Sequence, residues 1–209
     1  MSVFIVVDRT NSKHFIELLL RQAEKIRSLS SDHAKYFPIL VDHVQSLSFK
    51  TDWAAVLIKD KNTVTAATCG KIIQNTRTNY NYVSFDYVIN CGVEKGEGSR
   101  IVEHVFRHFS ELSGFKLQNA AGKRGFLSYT RAAERCNLHV YAVNILENRM
   151  ESFPDYLHTH LFFSKHDAAT AQSILFPPPL YKHHPMLPSK EALERLKNLR
   201  MIKLTGQRT

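Results

Sequence analysis

The sequence predicts a mixed α+β fold: a mostly antiparallel sheet flanked by helices, with a basic helical C-terminal tail. Three observations predict it. Strand-like runs at residues 53–59, 64–73 and 82–90 follow one another across short polar turns, as in consecutive hairpins. Residues 99–113 then place Ile101, Val102, Val105, Phe106, Phe109 and Leu112 on one helical face. A further strand, a helix and two strands complete an order that is neither doubly wound nor a barrel.

Residues 3–7 read as a short buried strand ended by a polar cluster. Asn11 or Ser12 can cap the next helix, whose face holds Phe15, Leu18, Leu19, Gln22, Ile26 and Leu29. Residues 31–48 form a second helix or an irregular segment, broken or started by Pro38. Asp60-Lys61-Asn62 and residues 75–81 are turns. Gly114 ends the helix of residues 99–113, and residues 115–119 resume as a strand. Residues 122–125 are a loop. Residues 126–136 are a helix, with Phe126, Tyr129, Ala132, Ala133 and Cys136 at helical spacing. Residues 139–146 and 157–164 are the closing strands, separated by the polar residues 147–156.

Pro177-Pro178-Pro179 is a stiff break, which divides the chain into a domain at residues 1–175 and a tail at 176–209. From residue 182 onward the tail carries seven Lys/Arg against Glu191 and Glu194, with a leucine-rich helical stripe at Leu193, Leu196, Leu199 and Ile202. That pattern suits docking on the body or on a partner subunit. Its charge also suits an acidic or nucleic-acid partner.

The chain has 209 residues and a net charge of +9, which favours an acidic or phosphate-bearing partner. Cys69, Cys91 and Cys136 are odd in number and widely spaced, so they make neither a disulfide framework nor a paired metal knuckle. A cytoplasmic location is expected, since the apolar start is too short for a signal peptide and no window has transmembrane length. His158 and His160 share a strand face, but no Cys or carboxylate completes a metal spacing around them.

The candidate chemistry lies at residues 82–138. A strand feeds the loop Gly92-Val93-Glu94-Lys95-Gly96-Glu97-Gly98-Ser99, which opens a helix. Amides at a helix start, with glycines that admit close approach, suit a phosphate. Glu94 and Glu97 add unfavourable charge there, offset by Lys95, Arg100 and the helix dipole. In the strand, strict alternation puts Ser84, Asp86 and Val88 on one face and Phe85, Tyr87 and Ile89 on the other. Asp86 on a half-buried strand is a candidate base.

These residues resemble the GNAT acyltransferase superfamily over about residues 3–164. Both glycines of the family's Gln/Arg-x-x-Gly-x-Gly/Ala loop are present as Gly96 and Gly98, with Val93 where Gln or Arg is usual. Asn119 falls near the end of the next strand. Ala132-Ala133-Glu134-Arg135-Cys136-Asn137-Leu138 corresponds to the family's closing helix motif, with Asn137 in place of Gly and without its Tyr. The resemblance implies acetyl-CoA, or another acyl-CoA, as the cofactor and an amine as acceptor. Its pantetheine arm would lie along the backbone of Val88, Ile89 and Cys91, and its pyrophosphate on the amides of Glu94, Lys95, Gly96, Glu97, Gly98 and Ser99. Asp86 is implied as base and Tyr129 as acid, although Tyr129 lies one turn before the usual position. The departures also suit a binding or regulatory protein that keeps the fold without turnover. A homodimer through the C-terminal strands or tail follows only by analogy with the family.

Overall fold

A computed structural model describes residues 2–27, 31–47, 51–60, 62–75, 78–91, 95–118, 122–152, 154 and 160–177. Its elements in order are β1 (Val3–Val7), α1 (Ser12–Arg27), α2 (Ser31–Gln45), β2 (Asp52–Lys59), β3 (Thr63–Asn75), β4 (Tyr80–Asn90), α3 (Glu97–His108), β5 (Gly114–Leu117), α4 (Gly122–Arg135), β6 (His139–Asn144), β7 (Arg149–Ser152), β8 (Leu161–Ser164) and α5 (Ala168–Leu175). The strands form one sheet in the order β1-β2-β3-β4-β5-β8-β6-β7. Every pairing is antiparallel except that of β4 with β5. No helix among the described residues is long and apolar enough to cross a membrane.

Period-2 alternation sorts the strands onto two cores. Ala55, Leu57, Val83, Phe115 and Phe163 face α3 and α4. The stripe on α3 is the centre of that core: Ile101, Val102 and Val105 are fully buried. Each such side chain contributes about 1.5–3 kcal/mol on burial. Phe106 meets the rings of Phe85, Phe115 and Phe163, the nearest centroid 4.6 Å away. On the opposite face, Ala54, Val56, Ala67 and Ile89 pack under α1 and α2 through Phe15, Leu19, Leu40 and Val44. The far end of that face carries α5, where Ala171 and Ile174 cover Tyr141 and Phe162.

Several sequence expectations are corrected. β1 is an edge strand and not a buried one: Val3 is 59% exposed and only Val7 is buried. α2 runs through Pro38, which lies exposed inside it. Gly114 begins β5 and does not cap α3, which ends at His108 with Phe109 as its C-cap. Glycine is required there by packing, since a Cβ would lie 2.3 Å from the Phe162 ring. Residues 122–125 form the first turn of α4, not a loop. The polar stretch after β6 holds an edge strand, β7, and a further helix, α5, follows β8. α5 is capped by Asp167, whose side chain accepts from the Thr170 N–H at 2.8 Å. Asn137 takes a left-handed φ of 54°, a conformation Asn tolerates, and so ends α4 as glycine would. All three cysteines are free thiols, with Cys69 and Cys91 buried. The expected tail helix lies outside the described residues.

Candidate functional site

β4 and β5 are paired only from Tyr82 opposite Gly114 to Phe85 opposite Leu117. β5 stops at Leu117, whereas β4 continues to Asn90 beside β3. Among the described residues, the sheet therefore opens between its two central strands from Asp86 onward. Backbone direction in the opened stretch follows from two bonds. The Cys91 N–H donates to the Thr65 carbonyl at 2.9 Å, and the Tyr87 carbonyl accepts from the Thr68 hydroxyl at 2.8 Å. Both point towards β3, so by alternation Val88 turns its N–H and carbonyl into the gap. Cys91 offers no N–H there. The side chains of Ile89 and Cys91 are buried under α1 and α2, and burial pushes the Cys91 thiol up to about 12.

α3 starts at the mouth of this gap. Gly96 has a φ of +88°, which favours glycine, and supplies no side-chain cap. The first intrahelical bond runs from the Arg100 N–H to the Gly96 carbonyl at 3.1 Å. The amides of Glu97, Gly98 and Ser99 precede it and have no partner within the helix. A Cβ on Gly98 would sit 3.7 Å from the Asn90 Cβ, so the first turn of α3 lies against the end of β4. Lys95 and Gly96 are exposed beside it.

Side chains of this turn are committed inward. Glu97 is 1% exposed and accepts from the Thr65 hydroxyl at 2.6 Å and from the Arg100 guanidinium. Burial opposes its ionisation, but these bonds and the Arg100 charge outweigh burial and hold the carboxyl below its ordinary range. The unfavourable charge expected of Glu97 is thus neutralised inside the protein. Ser99 donates to the Ser128 carbonyl at 3.0 Å and ties α3 to α4. What the turn offers a ligand is backbone.

Asp86 occupies a β-bulge. Cys69 pairs with Tyr87 and Gly70 with Phe85, which leaves Asp86 as the extra residue. The bulge breaks the alternation expected of this strand. Phe85 and Val88 face the α3 core, while Tyr87 and Ile89 face the α1/α2 core. A Cβ on Gly70 would fall 1.9 Å from the Ser84 carbonyl oxygen, so the close approach at the bulge requires glycine. Asp86 is exposed, yet its carboxyl is raised above the ordinary range. Partial burial is the main cause, opposed by His43 and Lys71 and reinforced by Asp52.

Tyr129 lies elsewhere. It is buried in the α3/α4 core, its ring 6.5 Å from that of Phe163, and burial pushes the phenol well above its ordinary value. The groups that act on Asp86 and those that pack on Tyr129 are different sets. Val93, Glu94, Asn119 and His158 lie outside the described residues. Among the described residues, no group of three or more His, Cys, Asp and Glu could hold a metal ion.

Sequence reasoning missed the polar row across the opposite face. Asp52 pairs with Lys71, Lys71 with Ser84, and Ser84 with Lys116. A lysine between Phe115 and Leu117 was its one visible signal. A separate cavity of about 450 Å³ lies at the other end of α3, between Arg107, Leu112, Cys136 and Lys165. Its two cations are engaged, Arg107 by Glu103 and Lys165 by the Ser110 carbonyl.

No protein-family model matches the chain, and no curated protein matches its sequence. Solved structures do match. The GNAT family N-acetyltransferase YhbS from Escherichia coli, in complex with CoA, is 11% identical, with 83% of this chain and 86% of that one covered and a TM-score of 0.51. GCN5 from Tetrahymena is 13% identical over 79% of this chain and 99% of its own, with a TM-score of 0.44. A putative GNAT acetyltransferase from Desulfovibrio desulfuricans is 12% identical over 78% and 97%, with a TM-score of 0.44. The match to YhbS, over most of both chains, shows that this chain has the GNAT fold.

Proposed function

We propose that the protein is an acyl-CoA-dependent N-acyltransferase, acetyl-CoA being the simplest donor. The observation that carries this is the convergence of two backbone features. The β4–β5 gap opens at Phe85 and Leu117, and the uncapped start of α3 stands at its mouth. The residues fit the donor: a pyrophosphate needs N–H groups and positive potential, and the first turn of α3 has both. An acyl-CoA bound there supplies an acyl group activated as a thioester.

The chain's residues then have these roles. The amides of Glu97, Gly98 and Ser99 hold the phosphates, with Lys95 alongside. Val88 bonds the pantetheine arm from the exposed edge of β4, and its N–H is the candidate donor to the thioester carbonyl oxygen. Asp86, one bulge away, takes a proton from the acceptor amine as the nitrogen bonds to the acyl carbon. The carbon–sulfur bond breaks, and the thiolate leaves with a proton from water or from Tyr129. A raised carboxyl is the better base for an amine at neutral pH.

The burial of Tyr129 favours a second reading, in which the protein binds the donor without turning it over. One experiment separates the two. Thermal unfolding is followed with CoA and acetyl-CoA, using Gly98→Trp to block the turn, and thiol release is then measured with a panel of amines. A ligand that binds only the native state raises the apparent stability. A shift lost in the variant, with amine-dependent thiol release, supports the transferase. A shift without release supports the binding protein. No shift at saturating acetyl-CoA overturns both.

A further inference from the structure

Among the described residues, the helices leave part of the sheet's second face without a helix packed on it. α1 and α2 cover β1 to β4 on that face, and α5 covers the β6–β8 end. Between them runs a row of paired residues, Asp52, Lys71, Ser84 and Lys116, one from each of four adjacent strands, which ends at Phe162 under α5. Directly paired residues point to the same side of a sheet. The next row, Ile72, Val83, Phe115 and Phe163, lies in the α3/α4 core, which places the polar row on the opposite side.

The charges in this row are unevenly matched. Asp52 stands directly across from Lys71, and both Lys71 and His43 act on Asp86. Lys116 is different. It is half-buried between Ser84 and Phe162, burial lowers its pKa, and among the described residues it has no hydrogen-bond or carboxylate partner. Its electrostatic neighbour is His160, which repels it when both are charged. A half-buried ammonium without an anion is costly, and a ligand anion would remove that cost. On the α2 side of the same face the Nε2 of His43 is also buried without a hydrogen-bond partner. From Asp86, Lys116 lies one strand across and two residues back, on the order of 8 Å between Cα positions.

We propose that this face binds an acceptor bearing an anionic group, a carboxylate or phosphate, close to its amine, with Lys116 receiving the anion while the amine meets Asp86. The substrate class is then a small amino acid or an amine-bearing phosphate ester, and a simple monoamine is a poor substitute. The anion site stands on its own geometry; its assignment to the acceptor rests on the acyltransferase reading.

The test has two arms. In the first, the folded protein is lightly methylated at its lysines with and without acetate or inorganic phosphate, and Lys116 is followed by mass spectrometry. Protection of Lys116 by about tenfold relative to Lys123 is expected, whichever anion is the better ligand. Equal modification with and without either anion overturns the site, whatever the enzyme does. In the second, kcat/KM is measured for amino acids against their amides, and for phosphoethanolamine against ethanolamine. The anionic member of one pair should lead by about ten- to a hundredfold. Lys116→Met should abolish that preference through KM while leaving the KM for acetyl-CoA unchanged, and Lys116→Arg should retain it. Turnover without any anion preference overturns the substrate class alone. Protection of Lys116 in a protein that binds no acetyl-CoA overturns the acyltransferase reading and leaves the anion site.

Discussion

The hydroxyl of Thr65 on β3 lies 2.6 Å from the buried carboxylate of Glu97, the first residue of α3. This bond, with the Arg100 pair, fastens the start of the helix to the sheet beside the open strand edge. Glu97→Gln weakens both contacts while keeping the side chain's size. The expected loss is about 1–3 kcal/mol, since it removes a charged acceptor from the buried Thr65 hydroxyl and from the partly exposed Arg100 guanidinium.

The same carboxyl sets a pH dependence. It is held below its ordinary value of 4.5 by Thr65 and Arg100 against the cost of burial. A carboxyl lowered on folding adds stability that is complete above 4.5 and is lost as the pH falls through its own, lower value. Urea midpoints of the wild type should therefore converge on those of Glu97→Gln below 4.5 and stand apart at neutral pH. A gap between the two that is constant with pH would contradict this.

Gly70 and Gly96 should respond differently to alanine. At Gly70 the new Cβ would fall 1.9 Å from a backbone oxygen of β4, so the bulge must shift. About 3 kcal/mol is expected, with a fall in Tm of about 10 °C by thermal unfolding. At Gly96 there is nothing within 4 Å, and only the φ of +88° is strained. Gly96→Ala should cost about 1 kcal/mol. Equal losses would contradict the geometry.

Asp86→Asn should lower thiol release by about 10²–10⁴-fold and leave acetyl-CoA binding intact. In the wild type the rate should climb with pH through a value above 3.8, because the base must be ionised and burial raises it. That limb should vanish in the variant. A profile that keeps it would assign the base to another group.

Tyr129→Phe asks which group protonates the thiolate. The ring packs against Phe163 in the core, and phenylalanine preserves that contact. With water as the proton source the rate is expected to stay within about tenfold; a fall beyond about 10²-fold would make the phenol the acid.

The sequence made the α3 side of the molecule readable because that side obeys simple periods. Ile101, Val102, Val105 and Phe106 recur at helical spacing and are all buried. The two glycines of the loop stand where the helix begins. The bulge at Asp86 was not readable, since one inserted residue leaves the composition of a strand unchanged while reversing the sides of everything after it. β7 was hidden by its polar residues, as befits an edge strand, and α5 by its shortness. The polar row through Lys116 could not be read because it depends on register between strands distant in sequence.

The insertion of β8 between β5 and β6 has a consequence for how the chain acquires its structure. The bonds that join β1–β5 to β6–β7 run through Leu161–Ser164, close to the end of the described chain. Until that segment leaves the ribosome, β5 and β6 each expose an unsatisfied edge to other chains. Joining the halves is a long-range event, and such contacts form slowly. Substitutions in Leu161, Phe162 or Phe163 should thus lower the yield of native protein during synthesis by more than their equilibrium cost, a difference that pulse-labelled expression would register.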